Sequence, residues 1–546
     1  MTTISPPTGF RGVFRSDEDA RAVYAESAGI ARVWPRAVAV PLDAGDLSTL
    51  VKWAAAGHVP LVPRGSGSSM PNGAVGDGVI VDLSRWRSMG SVDVSTRTVR
   101  VGPGVLRAEV DGAARQHGLR FAVDPSSGAF CTIGGMASTN AAGSHSMRFG
   151  SMRSWVRAID CVLADGSSVQ ARRGATPAPA NGIAAIDRLR AIEAQLAATR
   201  PSMIRAHAGV IKDSSGYGVA EFLASGDLVD LLVGSEGTLA FFTSLELNLI
   251  PTAPATSSVL GAFASLEAAV SAAVAARAAG AVACELLDRT FLDVAASGGA
   301  PRQLSADTEC ALLAEVEAGN ADRASEAALA VERIFREAGA TTVRVALDHS
   351  TETELWELRH AASPILARLD PNLRSMQFVE DCAVPPEHLA AYVRGVRAIL
   401  HAHETRGVIF GHAGDAHVHV NPLVDVSRPD WRTRVNAMLD EVVTLTASLG
   451  GTLSGEHGDG RLRAPLLARV WPAAVLDAFR AAKTAFDPDG ILNPGVKLAG
   501  LGRAPVGDVK YDPSLPSLPP RARRALDRVE RERAYARSRL ELLDAD

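Results

Sequence analysis

Between Val408 and Pro422 the sequence VIFGHAGDAHVHVNP sets His412, His417 and His419 among glycines and β-branched residues. Neutral imidazole nitrogens are good ligands for a divalent metal at about 2 Å. Five of the 13 histidines fall between His401 and His419, and the later GGTLSGEHGDGR adds Glu456 and His457. His412 and His419 are the candidate imidazole pair, and Glu456 supplies a candidate carboxylate, a donor set suited to one metal site.

To bring these groups together the chain must run strand, tight turn, strand. Alternation then places His417 and His419 on one face and Val418 and Val420 on the other. A turn at Gly414-Asp415 folds His412 back towards His419. A second kind of element lies upstream. VAVPLD reads as a strand, Asp46 as the cap of a helix ending at Gly57, and HVPLVPR as a strand running into Gly65-Ser66-Gly67-Ser68-Ser69. Small residues with free N–H groups at a strand end make an anion-binding loop. TRTVRVGPGVLRAEV, from Thr96, reads as a strand followed by a helix through Gln116. From Asp124 to Gly150, DPSSGAFCTIGGMASTNAAGSHSMRFG has almost no bulky side chain, so the chain must pass close to a large flat ligand or to another backbone. A third small-residue turn, VGSEGT, opens the apolar run to Ile250.

Composition sets limits. The 546 residues suffice for about three domains. A net charge of −5 argues against nucleic acid as the main partner. The five cysteines show no CxxC spacing, which suits a reducing compartment and excludes a locally built iron–sulfur site. The N-terminus lacks a signal-peptide core, and the most apolar stretch, Val259 to Leu287, is broken by Glu267 and Arg277, short of the roughly 18 apolar residues a span needs. The expectation is a cytoplasmic protein, with peripheral membrane contact left open.

The loop Pro63 to Ser69, the stretch Asp124 to Gly143 and Gly234-Ser235-Glu236-Gly237-Thr238 together resemble the FAD-binding domain of the vanillyl-alcohol oxidase / p-cresol methylhydroxylase (PCMH) superfamily. Downstream, Trp356-Glu357-Leu358-Arg359, Glu380-Asp381-Cys382-Ala383-Val384-Pro385, GHAGDAHVHVNP, SGEHGDGR and FDPDGILNPGVKL resemble the FAD-dependent D-2-hydroxy-acid dehydrogenases, the D-lactate, D-2-hydroxyglutarate and glycolate group. The likeness covers about residues 30 to 500. It implies an α+β protein. Residues 1–30 are expected as an N-terminal arm, 31–252 as the two-part PCMH-type FAD-binding domain, 253–432 as an antiparallel-sheet cap, and 433–500 as a helical segment returning to the flavin domain. Residues 171–202 look like an insertion. Residues 501–546 are expected as a Pro-rich linker and a charged helix, a solvated tail or partner contact.

The resemblance also implies the chemistry. Oxidising a 2-hydroxy acid removes a proton from the hydroxyl and a hydride from the adjacent carbon, and a flavin accepts the hydride at N5. FAD, held without a covalent bond, is expected against Pro63, Arg64, Gly65, Ser66, Gly67, Ser68, Ser69, Asp124, Pro125, Ser126, Ser127, Thr132, Ile133, Gly134, Gly135, Ala137, Ser138, Asn140, Gly143, Glu236, Gly237, Thr238 and Asn493. His412, His419 and Glu456 would hold zinc or manganese, and His457 would take the hydroxyl proton. Arg359 is the expected carboxylate anchor, with Ser363 and Arg374 as further substrate contacts. His417 stands where relatives have Asn in GDGNLH, so it either contacts substrate or joins the metal. The motifs look most like the flavin part of large members that carry an iron–sulfur module, which this chain lacks. Electrons are then expected to leave to a separate iron–sulfur subunit, a quinone, a cytochrome, an electron-transfer flavoprotein or oxygen. A homodimer is left open. Two other readings are an oxygen-using oxidase of an alcohol or sugar, and a non-catalytic flavin-binding subunit.

Overall fold

Ala37–Val40 and Val79–Asp82 are buried at every position, as strands covered on both faces must be. In the computed structural model, which describes residues 4–174, 182–297, 305, 307–360, 372–500, 502 and 504–545, they form the centre of a four-stranded sheet. Val13–Arg15 pairs antiparallel with Ala37–Val40, while Val79–Asp82 runs parallel to both Ala37–Val40 and Leu61–Arg64. Leu61–Arg64 ends at the edge of this sheet and releases the loop at Gly65. The helix after Ala37–Val40 starts earlier than the sequence suggested. Asp43, not Asp46, is the N-cap of Ala44–Ala56, and its carboxylate accepts from Asp46 N. Asp46 instead turns back to accept from the backbone N–H groups of Arg11, Gly12 and Leu42.

A second four-stranded sheet is antiparallel, in the order Thr98–Val101, Phe241–Asn248, Val156–Val162, Ser168–Arg172. Part of the small-residue stretch packs in the core of this second sheet, through Cys131, Ile133, Met136 and Ala137. Within it Ile133–Thr139 is helical, capped by Thr132 accepting from Gly135 N and stopped by Asn140 in the left-handed region. The helix Ala184–Ala206 and the returning helix Ala473–Phe486 share one core with this sheet through Leu189, Leu196, Val475 and Phe479.

The cap is a seven-stranded antiparallel sheet in the order Thr342–Ala346, Ala255–Phe263, Cys310–Ala318, Ala283–Asp288, Arg406–His412, His417–Asp425, Leu373–Ser375. The helices Leu266–Ala278, Ala321–Glu337 and Leu389–Ala402 pack on it. So does Trp431–Ser448, which the sequence reading placed with the returning segment. Its Val435, Met438, Leu439 and Val442 lie in the cap core. Among the described residues no helix is long and apolar enough to cross a membrane.

The ends of the chain depart from expectation. Residues 13–24 are not a free arm, since they supply the edge strand and the helix Glu18–Tyr24. The C-terminal segment is not a solvated tail. Its helices Pro520–Arg531 and Arg539–Asp544 pack on Glu18–Tyr24 and the first sheet, burying Ala522, Ala525, Leu526, Val529, Leu540, Leu542 and Leu543. The reason was readable: positions 522, 525, 526 and 529 make one apolar helical stripe, which the abundance of charge obscured. Replacing Leu526 by Ala should destabilise this end by about 2–5 kcal/mol. A lower thermal midpoint and faster proteolysis after residue 504 would register it, whereas a solvated tail would leave both unchanged.

Candidate active site

The two arms Arg406–His412 and His417–Asp425 pair so that His412 faces His417 and Phe410 faces His419. Ala416, in the left-handed region at φ 52°, closes the turn between them. Both candidate imidazoles are oriented from behind. His412 Nδ1 donates to Glu285 Oε1 at 2.6 Å, and His419 Nδ1 donates to the carbonyl of Glu380 at 3.0 Å. A proton fixed on Nδ1 leaves Nε2 as the available donor atom. Both Nε2 atoms converge on Glu456 Oε1, at 3.3 Å each. Two tethered imidazoles and one carboxylate oxygen, all within 4.8 Å of one another, fit a divalent cation.

Glu285 was not singled out by sequence, and it is the fixed point of this arrangement. It is fully buried on Ala283–Asp288, opposite His412 in the ladder. Its other oxygen accepts from Arg359 Nε at 2.6 Å. Burial works to raise its pKa, but His412 and Arg359 outweigh this and hold the carboxyl down at about 2. Burial likewise pulls His412 down, and Glu285 with Glu456 brings it up to about 9. Arg359 lies over the ring of Phe410 at 4.8 Å and faces the cavity.

The second wall comes from Glu380 and Asp381. Asp381 is buried and accepts from Ser454 Oγ at 2.9 Å, from the backbone N–H groups of Glu456 at 3.2 Å and His457 at 2.9 Å, and from His417 Nε2 at 3.0 Å. One carboxylate therefore shapes the whole SGEHG turn. Desolvation opposes its charge, yet His457 and Arg463 hold it far below the usual carboxylate range. His457 stacks on His419 with centroids 5.2 Å apart, and its Nδ1 is 3.2 Å from Glu380 Oε1. Burial lowers its pKa, but Asp381 and Glu380 raise it to about 9. Lys212, which opens the segment KDSSGYGV that resembles a family segment near the flavin, places Nζ 2.6 Å from Glu456 Oε2. Burial favours the neutral acid there, while Lys212 and His412 keep Glu456 ionised.

His417 corrects one expectation. Its ring is fully buried, bonded to Asp381 and packed where a Cβ on Gly455 would meet it at 2.6 Å, so it does not form part of the cavity wall that substrate would touch. It does belong to a possible ligand group with His412, His419 and Glu456. Burial first, then the charge of Lys212, drives its pKa down to about 3 and keeps it neutral. Ser363 lies outside the described residues.

A cavity of about 1230 Å³ joins the histidine cluster to the small-residue loops, above the roughly 300–1,000 Å³ of drug-sized ligand sites. Its wall includes residues 63–69, Pro125, Ser126, Ser127, Thr132, Gly134, Gly135, Ser138, Gly143, Glu236 and Gly237 at one end. Arg359, Arg374, His412, His419, Glu456 and His457 line the other. Gly67 sits at φ +73°, and the buried Ser69 Oγ has no protein partner among the described residues, as a loop waiting for phosphate oxygens would. The remaining expected contacts brace the wall from outside it. Asp124 bonds His145, Ile133 and Ala137 are helix core, Asn140 accepts from Arg153 N, Thr238 bonds Tyr217, and Asn493 donates to the carbonyls of Gly73 and Glu236. Arg64 reaches the wall, but its guanidinium is committed to the carbonyls of Tyr24, Glu26 and Ala74.

Comparison with known proteins bears on the fold and on its FAD-binding domain. Residues 35–172 match the family described as "FAD binding domain" and residues 252–496 the family "FAD linked oxidases, C-terminal domain". The chain is similar to the glycolate oxidase subunit GlcD of Bacillus subtilis, 29% identical over 85% of this chain and 89% of that protein. It is also similar to the D-2-hydroxyglutarate dehydrogenase of Pseudomonas putida, 29% identical over 91% of this chain and 51% of that protein. In fold it resembles p-cresol methylhydroxylase with substrate bound, at a TM-score of 0.64, 14% identity, and coverage of 90% of this chain and 95% of that one. With its cofactor loops, its antiparallel cap and its ordered motifs accounted for, the chain belongs to the FAD-linked oxidases, with their FAD binding domain and C-terminal domain in order, and is similar to enzymes that act on hydroxy acids.

Proposed function

We propose that the chain oxidises a D-2-hydroxy acid of the lactate or 2-hydroxyglutarate type to its 2-oxo acid, with the help of a zinc or manganese ion at His412, His419 and Glu456, and passes the electrons to an external acceptor. The single observation that carries this reading is the Glu285 carboxylate held between Arg359 and His412. It fixes a carboxylate-binding cation and a metal-ligating imidazole in one frame, and a 2-hydroxy acid presents its carboxylate and hydroxyl on adjacent carbons. When bound, the flavin supplies the acceptor for the two electrons and the cation supplies a Lewis acid that makes the hydroxyl more acidic.

The residues divide the remaining work. Arg359 grips the substrate carboxylate with the guanidinium nitrogens that Glu285 leaves available, and Arg374, on the edge strand Leu373–Ser375, is a second cation on the same wall. His457 takes the hydroxyl proton in its neutral form; because Asp381 and Glu380 raise its pKa to about 9, flavin reduction should speed up as pH rises towards that value. It is the cluster's histidine outside the three-ligand set that reaches the cavity, and Glu380 and Asp381 stabilise the imidazolium it becomes. The substrates in the names of the related enzymes, glycolate and D-2-hydroxyglutarate, support a small hydroxy acid. The word "subunit" in one of those names supports a partner protein, for which a separate iron–sulfur-bearing chain is our first choice.

Anaerobic addition of D-lactate, D-2-hydroxyglutarate or glycolate should bleach the flavin spectrum, and a strong chelator should prevent it. Bleaching that persists after verified metal removal would sink the metal role, and a flavin that no hydroxy acid bleaches would sink the reaction. His457→Ala should leave FAD bound while slowing flavin reduction at least about 100-fold. Reduction at the wild-type rate would move the base elsewhere. Glu285→Gln should lower metal affinity by about 10–100-fold and raise the apparent KM as well, because one carboxylate serves both groups. A change in only one of the two constants would break the proposed coupling.

A further inference from the structure

The cations nearest the cofactor loop do not face the cavity. A dinucleotide brings a diphosphate, and the loop Gly65–Ser69 offers it backbone amides and hydroxyls. The nearest loop cation, Arg64, is turned away onto three carbonyls. Arg539 is buried behind the loop and donates to the carbonyl of Ser66 at 3.0 Å. It braces the loop rather than presenting charge to a ligand.

Other cations on this part of the wall are paired, Arg32 with Glu26 and both Arg523 and Lys510 with Glu530, which sets two guanidinium groups apart. Arg531 and Arg533, just past the buried stripe of Pro520–Arg531, are exposed and line the same wall as residues 65–69. Neither has a carboxylate partner among the described residues. Their neighbours differ: Arg523 pairs with Asp527 and Glu530, and Lys510 with Glu530. Arg533 lies over the ring of Phe130 at 5.1 Å, and Phe130 stacks on Tyr535 at 5.1 Å. Phe130, Tyr535 and the adjacent Ser126 and Ser127 belong to the cavity wall. Arg533 also holds φ 55° and ψ 34°.

We propose that Arg531 and Arg533 bind the diphosphate of FAD, so that the C-terminal segment is part of the cofactor site and slows cofactor loss. The proposal rests on the FAD-linked reading above. The segment's position fits it. Lys510 N donates to the carbonyl of Ile30, Arg32 N donates to the carbonyl of Asp508, and Arg432 of the cap ion-pairs with Asp512. The segment thus spans the seam between the cap and the flavin domain while its helices dock on the first sheet.

The test uses the full-length holoenzyme and follows the rise in flavin fluorescence as FAD dissociates after dilution, at low and at high salt. Arg531→Gln combined with Arg533→Gly should release FAD at least about tenfold faster at low salt. The difference should shrink at high salt, as screening predicts. Glycine at 533 relieves the left-handed backbone, so the thermal midpoint of the FAD-free protein should not fall. Arg533→Lys, which keeps a charge, should restore slow release. Release within about twofold of the wild type at low salt would overturn the proposal, as would faster release that is indifferent to salt and not rescued by lysine. A wild-type protein that binds no FAD would overturn the cofactor reading on which it rests, an outcome separate from either of these.

Discussion

A single buried carboxylate, that of Glu285, governs how the site is built. An ionised carboxylate in a sheet interior is tolerable only when it is paired and hydrogen-bonded. Here both oxygens are satisfied, one by His412 and one by Arg359. The requirement works in reverse as well. Because Glu285 must keep both partners, the hairpin carrying His412 and the helix carrying Arg359 are held in a fixed relation, and the functional groups inherit that relation. The resulting network is not redundant: each member compensates the desolvation of another.

A second buried knot ties the cofactor loops to the histidine cluster. Lys497, with no exposed surface, lies 3.2 Å from Glu236 Oε1 and 3.1 Å from Asp459 Oδ2, and donates to the carbonyl of Ser214 at 2.8 Å. Glu236 in turn accepts from the backbone N–H groups of Asp459 and Gly460. Three segments distant in sequence, around residues 214, 236 and 459, are thereby locked at one point. Glu236 lines the cavity beside the small-residue loops and Glu456 lines it within the histidine cluster, so the knot sets the distance between these two parts of the wall. The left-handed backbone at Glu236 and Gly237 is sustained by these bonds.

The seam between flavin domain and cap is polar for a related reason. His145 bridges Asp124 on one side and Glu315 on the other, Ser146 donates to Asp415, and Arg120 pairs with Glu317. Contacts of this kind position a cap without fusing its core to that of the flavin domain. The C-terminal segment adds a further tie across the same seam.

Much of this was legible from residue types and spacing. The small-residue runs at Gly65 and Asp124 marked loops that line the cavity, and the period-two histidines marked a strand hairpin, because both signals are local. Tertiary structure decided what local signals cannot carry. Glu285 reads in sequence as one more acid in an apolar strand, and Lys212 only as the start of a segment that resembles one near the flavin, with no partner named. Each becomes functional only because the fold removes water and brings an opposite charge within 2.6 Å. His417 shows the converse: spacing placed it with His419, but only packing against Gly455 and Asp381 turned it away from the cavity. The charged C-terminal helix was likewise decided by its apolar stripe meeting Glu18–Tyr24. Sequence by itself determined the strands, the cofactor loops and the ligand-type side chains. Tertiary structure alone determined which charges are buried against which, since desolvation and pairing are properties of distance in space and not of order along the chain.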